Sequence, residues 1–233
     1  MDELLKNGFS AMKLAVSDAQ IAQLKDFTAR MLETNRVMNL TAITEPQEIA
    51  SRHLLDSASL LTAADFSGCS VVDVGCGAGF PGMPLHILCP DCRLTLLDSL
   101  GKRIRFLQTC IDGMGLTDIR AVHARAEEFA ADHREQYDFA VSRAVAQLNV
   151  LAELSLPLVK PGGCFIAMKG RDSDEELAAA AHAISMLGGR MERTVEYTIP
   201  NTDITHRLVI IRKKKPTPGQ FPRPYRKISA KPL

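Results

Sequence analysis

Apolar positions between residues 18 and 36 fall at helical spacing, with Ile21, Leu24, Phe27, Met31 and Leu32 recurring in an otherwise polar run. Side chains three and four apart share a helix face, so the spacing predicts an amphipathic helix with Asp18 as its N-cap. A second helical stretch follows Pro46, where Ile49, Leu54, Leu55, Ala58 and Leu61 repeat the pattern. Residues 1–65 therefore read as a helical cap. Beyond them, short apolar runs alternate with helical ones. Ser70 to Val74, Arg93 to Asp98, Ile119 to Val122, Phe139 to Ser142 and Cys164 to Lys169 predict five strands. Such alternation specifies a parallel sheet with crossover helices, a doubly wound α/β fold. After a helix around 174 to 187, segments 191 to 199 and 206 to 212 flank Pro200, Asn201, Thr202 and Asp203 and predict a terminal antiparallel hairpin. The expected division is a cap over 1–65, a sheet core over 66–212 and a tail over 213–233.

Charge changes the picture only through its distribution. The net charge is +1, yet residues 212–233 carry eight basic groups and no acid, which leaves seven net negative charges on the rest. The tail also holds five prolines, which disfavour regular structure, and is expected to be an extended basic arm. Lys213, Lys214, Lys215, Arg223, Arg226 and Lys227 in it are candidates to neutralise RNA phosphates, joined by Lys102 and Arg103 near a helix start and by Lys169 after the fifth strand. No run approaches the roughly 18 apolar residues of a membrane span, and the first residues lack a secretory pattern, so a cytoplasmic protein without membrane contact is expected. Six cysteines include a Cys89–Cys92 CxxC pair with no second pair to complete a zinc site, so reduced thiols and no metal are expected.

The candidate chemistry centres on Val71-Val72-Asp73-Val74-Gly75-Cys76-Gly77-Ala78-Gly79-Phe80-Pro81-Gly82, an apolar strand running into a glycine-rich turn. Glycine lets backbone turn sharply and approach a ligand closely. Two cofactors satisfy the spacing: Gly77, Gly79 and Gly82 form the GxGxxG of dinucleotide sites, and Asp73, Gly75, Gly77 and Gly79 form the DxGxGxG of methyltransferases. Electrostatics favours the second, because Asp73 would repel a pyrophosphate and attract the ammonium group of S-adenosylmethionine. Asp98 closes the next strand, where an acid accepts hydrogen bonds from ribose hydroxyls under either reading.

The segments VVDVGCGAGFPGMPL, LLDSLGKRIRFL, RAEEFA, SRAVAQL and AMKG, in this order, resemble the ribosomal RNA small subunit methyltransferase G family, also called the glucose-inhibited division protein B family. The resemblance extends to Asn39-Leu40-Thr41, to His53-Leu54-Leu55-Asp56-Ser57 and to the basic ending, whose PRPYRKISAKPL departs from the family's usual pattern. It implies a Rossmann-like methyltransferase sheet and S-adenosylmethionine-dependent transfer of a methyl group to N7 of a guanine in the decoding-region loop of 16S rRNA. It also implies cofactor contacts from Gly75, Phe80, Ala126, Glu127 and Arg143, and 16S rRNA or the small ribosomal subunit as partner; a monomer is expected. Guanine N7 carries a lone pair and no proton, so no general base is required. Arg143, at a strand's carboxyl end, is the candidate catalytic residue, positioning substrate or cofactor; an ion pair with a nearby acid is its structural alternative. His53 and Asp56, three apart on a helix, could face the cleft, His53 as an RNA contact or a buried structural histidine. A nicotinamide-dependent oxidoreductase and a non-catalytic RNA-binding assembly factor remain the rival readings.

Overall fold

The computed structural model describes residues 1–143 and 146–233, so two positions of the SRAVAQL segment lie outside the described residues. The cap opens with α1 (Asp2–Ala11), which the sequence pattern did not reveal, and α2 (Asp18–Asn35). Ser17, not Asp18, caps α2: its hydroxyl accepts from the Gln20 amide while the Gln20 side chain accepts from the Ser17 amide. The second stretch begins as α3 (Pro46–Ile49) and passes through a π-helical turn (Ala50–Leu55) into α4 (Asp56–Ala58) and α5 (Leu60–Ala63). That widened turn carries His53, and such turns recur at functional sites.

The core alternates β1 (Ser70–Val74), α6 (Gly82–Leu88), β2 (Arg93–Asp98), α7 (Gly101–Met114), β3 (Ile119–His123), α8 (Ala126–Asp132), β4 (Tyr137–Arg143), α9 (Leu148–Ser155), β5 (Val159–Gly170), α10 (Asp174–Met186), β6 (Gly189–Thr198) and β7 (Thr205–Lys213). All five predicted strands lie within observed ones, β3, β4 and β5 being longer than their apolar runs. The sheet order is β3-β2-β1-β4-β5-β7-β6, parallel from β3 to β5, with β7 antiparallel to both neighbours. Strand periodicity divides the core between the sheet's faces. Val71 packs with the cap and α6, whereas Val72 and Val74 pack with α8 and α9. The order reverses beside β1, which opens a crevice at the carboxyl ends of β1 and β4 where doubly wound sheets bind ligands.

The expected extended arm is corrected by the structure. The tail folds onto α9 and carries a short helix, α11 (Tyr225–Ala230), with Thr217, Phe221 and Ile228 all buried. Arg134 fastens it by donating to the carbonyls of Thr217, Pro218 and Phe221. Proline fixes φ without preventing packing, and Phe221 and Ile228 supply the apolar contacts that hold the segment down.

Candidate active site

The strand β1 delivers the chain to the glycine turn, where Gly75, Gly77 and Gly79 all adopt positive φ. A side chain is strained in this left-handed region, which explains three glycines in five residues. The turn's amides point inward: Gly75 and Cys76 donate to the Leu97 carbonyl, Gly77 to Asp98 Oδ2 at 3.0 Å, and Gly79 and Phe80 to the Cys76 carbonyl. A pyrophosphate is held by amides aimed at it, so these engaged amides leave a poor cradle for a dinucleotide. Gly82 likewise donates to Asp73 Oδ2 at 2.8 Å. The turn borders a cleft of about 680 Å³ whose floor includes Gly75, Gly77 and Asp98, and whose far wall is Ala124 to Glu127 after β3. Asp98 is buried, accepting also from the Leu100 amide at 2.8 Å and from Arg103 at 3.3 Å. A carboxylate has about four lone-pair directions and three are used here, so it retains acceptor capacity for one hydroxyl.

At the opposite end Phe80, His53 and Arg143 converge. The His53 ring stacks on Phe80 at 4.5 Å, Phe27 of α2 meets Phe80 edge-on at 5.5 Å, and the Arg143 guanidinium lies 5.2 Å from the Phe80 centroid. Arg143 is fixed by Asp56 Oδ2 at 2.9 Å and the Arg52 carbonyl at 3.1 Å, with His53 Nδ1 at 3.3 Å. Asp56 is buried and also accepts from Tyr197 Oη at 2.7 Å and His206 Nδ1 at 2.8 Å. Burial pushes its carboxyl up, but the hydrogen bond from His206 and the charge of Arg143 outweigh this and hold it below its ordinary value. Burial and then the Arg143 charge push His53 down to about 4, so the ring is neutral near pH 7 and its Nε2 lies 2.9 Å from the Thr41 hydroxyl.

Comparison with known proteins decides the family. The profile described as rRNA small subunit methyltransferase G matches residues 20–205. The chain is 46% identical over 233 residues to Ribosomal RNA small subunit methyltransferase G of Alkaliphilus metalliredigens, covering 99% of this chain and 98% of the relative. It belongs to this family. The family member of Clostridium botulinum strain Loch Maree is 44% identical, covering 94% of this chain and 93% of its own. Membership makes the protein a methyltransferase, and solved structures agree on the Rossmann-like fold. TrmN from Thermus thermophilus superposes with a TM-score of 0.53 at 20% identity, over 70% of this chain and 53% of that one. TYW2 of M. jannaschii, solved with AdoMet, gives 0.56 at 11% identity, over 73% and 77%.

Set on this family's fold, the expected site residues divide. Gly75, Gly77, Phe80, Asp98, Ala126 and Glu127 line one cleft, together with Arg143, His53 and Arg103. Asp73 and Gly79 do not. Asp73 is fully buried beneath the turn, and burial pushes its carboxyl up to about 7, against the lowering effects of the Gly82 amide and Arg143. It ties the start of α6 to β1 through Oδ2, and it lies outside the cleft lining where contact with a ligand ammonium was expected. A Cβ at Gly79 would lie 2.7 Å from Leu107 and 2.8 Å from Met83, so this glycine serves packing beneath the cleft.

The cationic expectations are corrected in the same way. Lys213 is completely buried, donating to the carbonyls of Leu156 at 2.6 Å and Val159 at 3.1 Å. Arg223 grips the buried Glu153 through two contacts of 2.8 and 2.6 Å, and Lys169 is held by Glu176 and the Ala146 carbonyl, each at 2.6 Å. Arg103 is engaged by Asp98. Lys102, Lys214, Lys215, Arg226 and Lys227 are exposed and form no ion pair among the described residues. Sequence reasoning missed Leu100, Arg125 and Tyr225, which also line the cleft. Arg125 had a visible signal, being the first residue of the RAEEFA segment and directly before Ala126 and Glu127; Tyr225 reaches the cleft only because the tail folds back. Among the described residues no cluster of three or more His, Cys, Asp or Glu could hold a metal, and no helix is long and apolar enough to cross a membrane.

Proposed function

We propose that the cleft holds S-adenosylmethionine and that the protein transfers its methyl group to N7 of a guanine in the decoding-region loop of 16S rRNA. The observation that carries the donor is the turn itself. Its inward amides and the buried Asp98 beside it suit a ribose-bearing ligand without a pyrophosphate, and a Cβ at Gly77 would meet no atom nearer than the Gly75 carbonyl at 4.0 Å, leaving open space above the floor. In this reading Asp98 accepts from a ribose hydroxyl, Ala126 and Glu127 border the adenine, and Gly75 forms floor beneath the amino-acid end.

S-adenosylmethionine supplies a methyl group on a sulfonium, activated for attack by a lone pair. The residues at the mouth of the cleft orient the base. Arg143 has N–H groups beyond those used by Asp56, Arg52 and His53, and these suit guanine O6, the acceptor beside N7. His53 stays neutral and bonded to Thr41, so it shapes the base pocket with Phe80 and moves no proton, as N7 chemistry allows. Positioning and electrostatic preorganisation are then the sources of rate. The exposed Lys102, Lys214, Lys215, Arg226 and Lys227 are the groups placed to meet RNA phosphates in the cytoplasm, where the small subunit is assembled.

Calorimetric titration with S-adenosylmethionine and with NAD tests the donor, and incorporation of labelled methyl into 16S rRNA tests transfer. Binding of the first ligand with label incorporation supports the proposal; preference for NAD, or binding without transfer, refutes it.

A further inference from the structure

Four large apolar side chains are exposed among the described residues, and two of them, Leu100 and Tyr225, line the same cleft. Leu100 follows β2 directly after the Asp98 and Ser99 corner. Tyr225 comes from the opposite direction, as the first residue of α11 in the folded tail, and is 41% exposed. An aromatic ring exposed at the rim of a nucleoside-sized cleft presents an apolar face that a bound base can cover. The ring is also held in place. Pro222 and Pro224 restrict the backbone before it, the Arg223–Glu153 ion pair fixes the residue between them, and the buried Ile228 anchors the helix after it. Arg125, from the wall that borders the adenine, places its guanidinium 5.5 Å from the Tyr225 centroid and its Nη1 3.9 Å from Glu127. The tail's aromatic ring and the β3–α8 turn therefore form one surface.

We infer that Tyr225 is the outer aromatic wall of the adenine subsite, stacking on the purine of the methyl donor opposite the apolar side supplied by Leu100. The inference rests on the proposed donor and goes beyond it, because it gives the C-terminal segment a direct part in cofactor binding. Stacking against a purine needs a flat π face and no hydroxyl, and an aromatic already fixed by its flanking prolines loses little freedom on binding. The folded tail then couples two ligands: its exposed Arg226 and Lys227 are adjacent in sequence to the ring that meets the cofactor.

The test is calorimetric titration of the full-length protein with S-adenosylhomocysteine, which keeps the adenosine and lacks the sulfonium charge. Tyr225→Ala should weaken binding about tenfold, the scale expected for loss of one aromatic–base stack. Tyr225→Phe should bind as the parent does, and Lys231→Ala, exposed in the same tail and outside the cleft lining, should also leave affinity unchanged. Parental affinity in Tyr225→Ala, or a loss in Tyr225→Phe equal to that in Tyr225→Ala, overturns the inference while leaving the donor assignment standing. A parent protein that binds no S-adenosylhomocysteine defeats the donor assignment first, and the inference falls with it.

Discussion

His53 and Asp73 are ionisable groups that burial moves in opposite directions on the pH axis. For His53, a native value of about 4 lies below the ordinary 6.5, so between these limits the unfolded chain binds more protons than the native one. Its contribution to stability is intact above pH 6.5 and is lost as pH falls toward 4, by up to about 3 kcal/mol at 1.4 kcal/mol per pH unit. Asp73 opposes it: with a native value of about 7 against 3.8, the native state holds the extra proton, and stability falls as pH rises through that window. The parent protein should therefore show a shallow acid limb, whereas His53→Gln isolates one slope. Denaturant unfolding from pH 4 to 7 should show the parent losing stability relative to His53→Gln as pH drops from 6.5; a constant difference would contradict the neutral, buried ring. The misplacement of Asp73 has the same physical origin. The sequence shows an acid before a glycine turn, but its acceptance of the Gly82 amide nine residues later depends on how the turn closes.

At the scale of elements, legibility followed periodicity. β1 and β2 match their apolar runs at both ends because strands buried on both faces read as continuous hydrophobic runs, and the glycine turn stands out because its φ angles exclude other residues. α1 escaped notice: Leu5 and Phe9 are its buried apolar side chains, too few for a periodic signal in ten residues. The tail misled for a different reason. Lysine and proline composition describes average behaviour, whereas its fold depends on single long-range pairs, Lys213 with the Leu156 and Val159 carbonyls and Arg223 with Glu153. A folded tail predicts that Ile228→Ala, which opens a cavity at a fully buried position, destabilises the protein by about 2–5 kcal/mol, while Lys227→Ala on the exposed side changes little. Equal melting temperatures for Ile228→Ala and the parent would show that the segment hangs free. Removing residues 216–233 should likewise lower the melting temperature, since it strips Thr217 from the buried Lys213 ammonium.

Across the whole molecule, the cap, the parallel sheet and the terminal hairpin meet at Asp56. One carboxylate binds Arg143 of β4, Tyr197 of β6 and His206 of β7 from a helix of the cap, so the cluster of His53, Phe80 and Arg143 is assembled only when all three regions are in place. Asp56→Ala would leave Arg143 without its counter-charge in a largely buried position, and removing one partner of such a pair costs about 3–5 kcal/mol. Asp56→Asn, which keeps an acceptor, should cost less; a chemical unfolding curve for Asp56→Ala within error of the parent would exclude the hub. The HLLDS resemblance marked Asp56, but its partners lie 87 to 150 residues away, beyond any local pattern. The central claim, methyl transfer to a guanine N7 without a general base, is tested most directly by treating unmethylated 16S rRNA or small subunits with the protein and S-adenosylmethionine, then cleaving at N7-methylguanine by borohydride reduction and aniline scission. The account predicts one new cleavage at a guanine of the decoding-region loop, requiring both protein and cofactor; no new cleavage, or methylation mapped to another atom or another nucleotide, would contradict it.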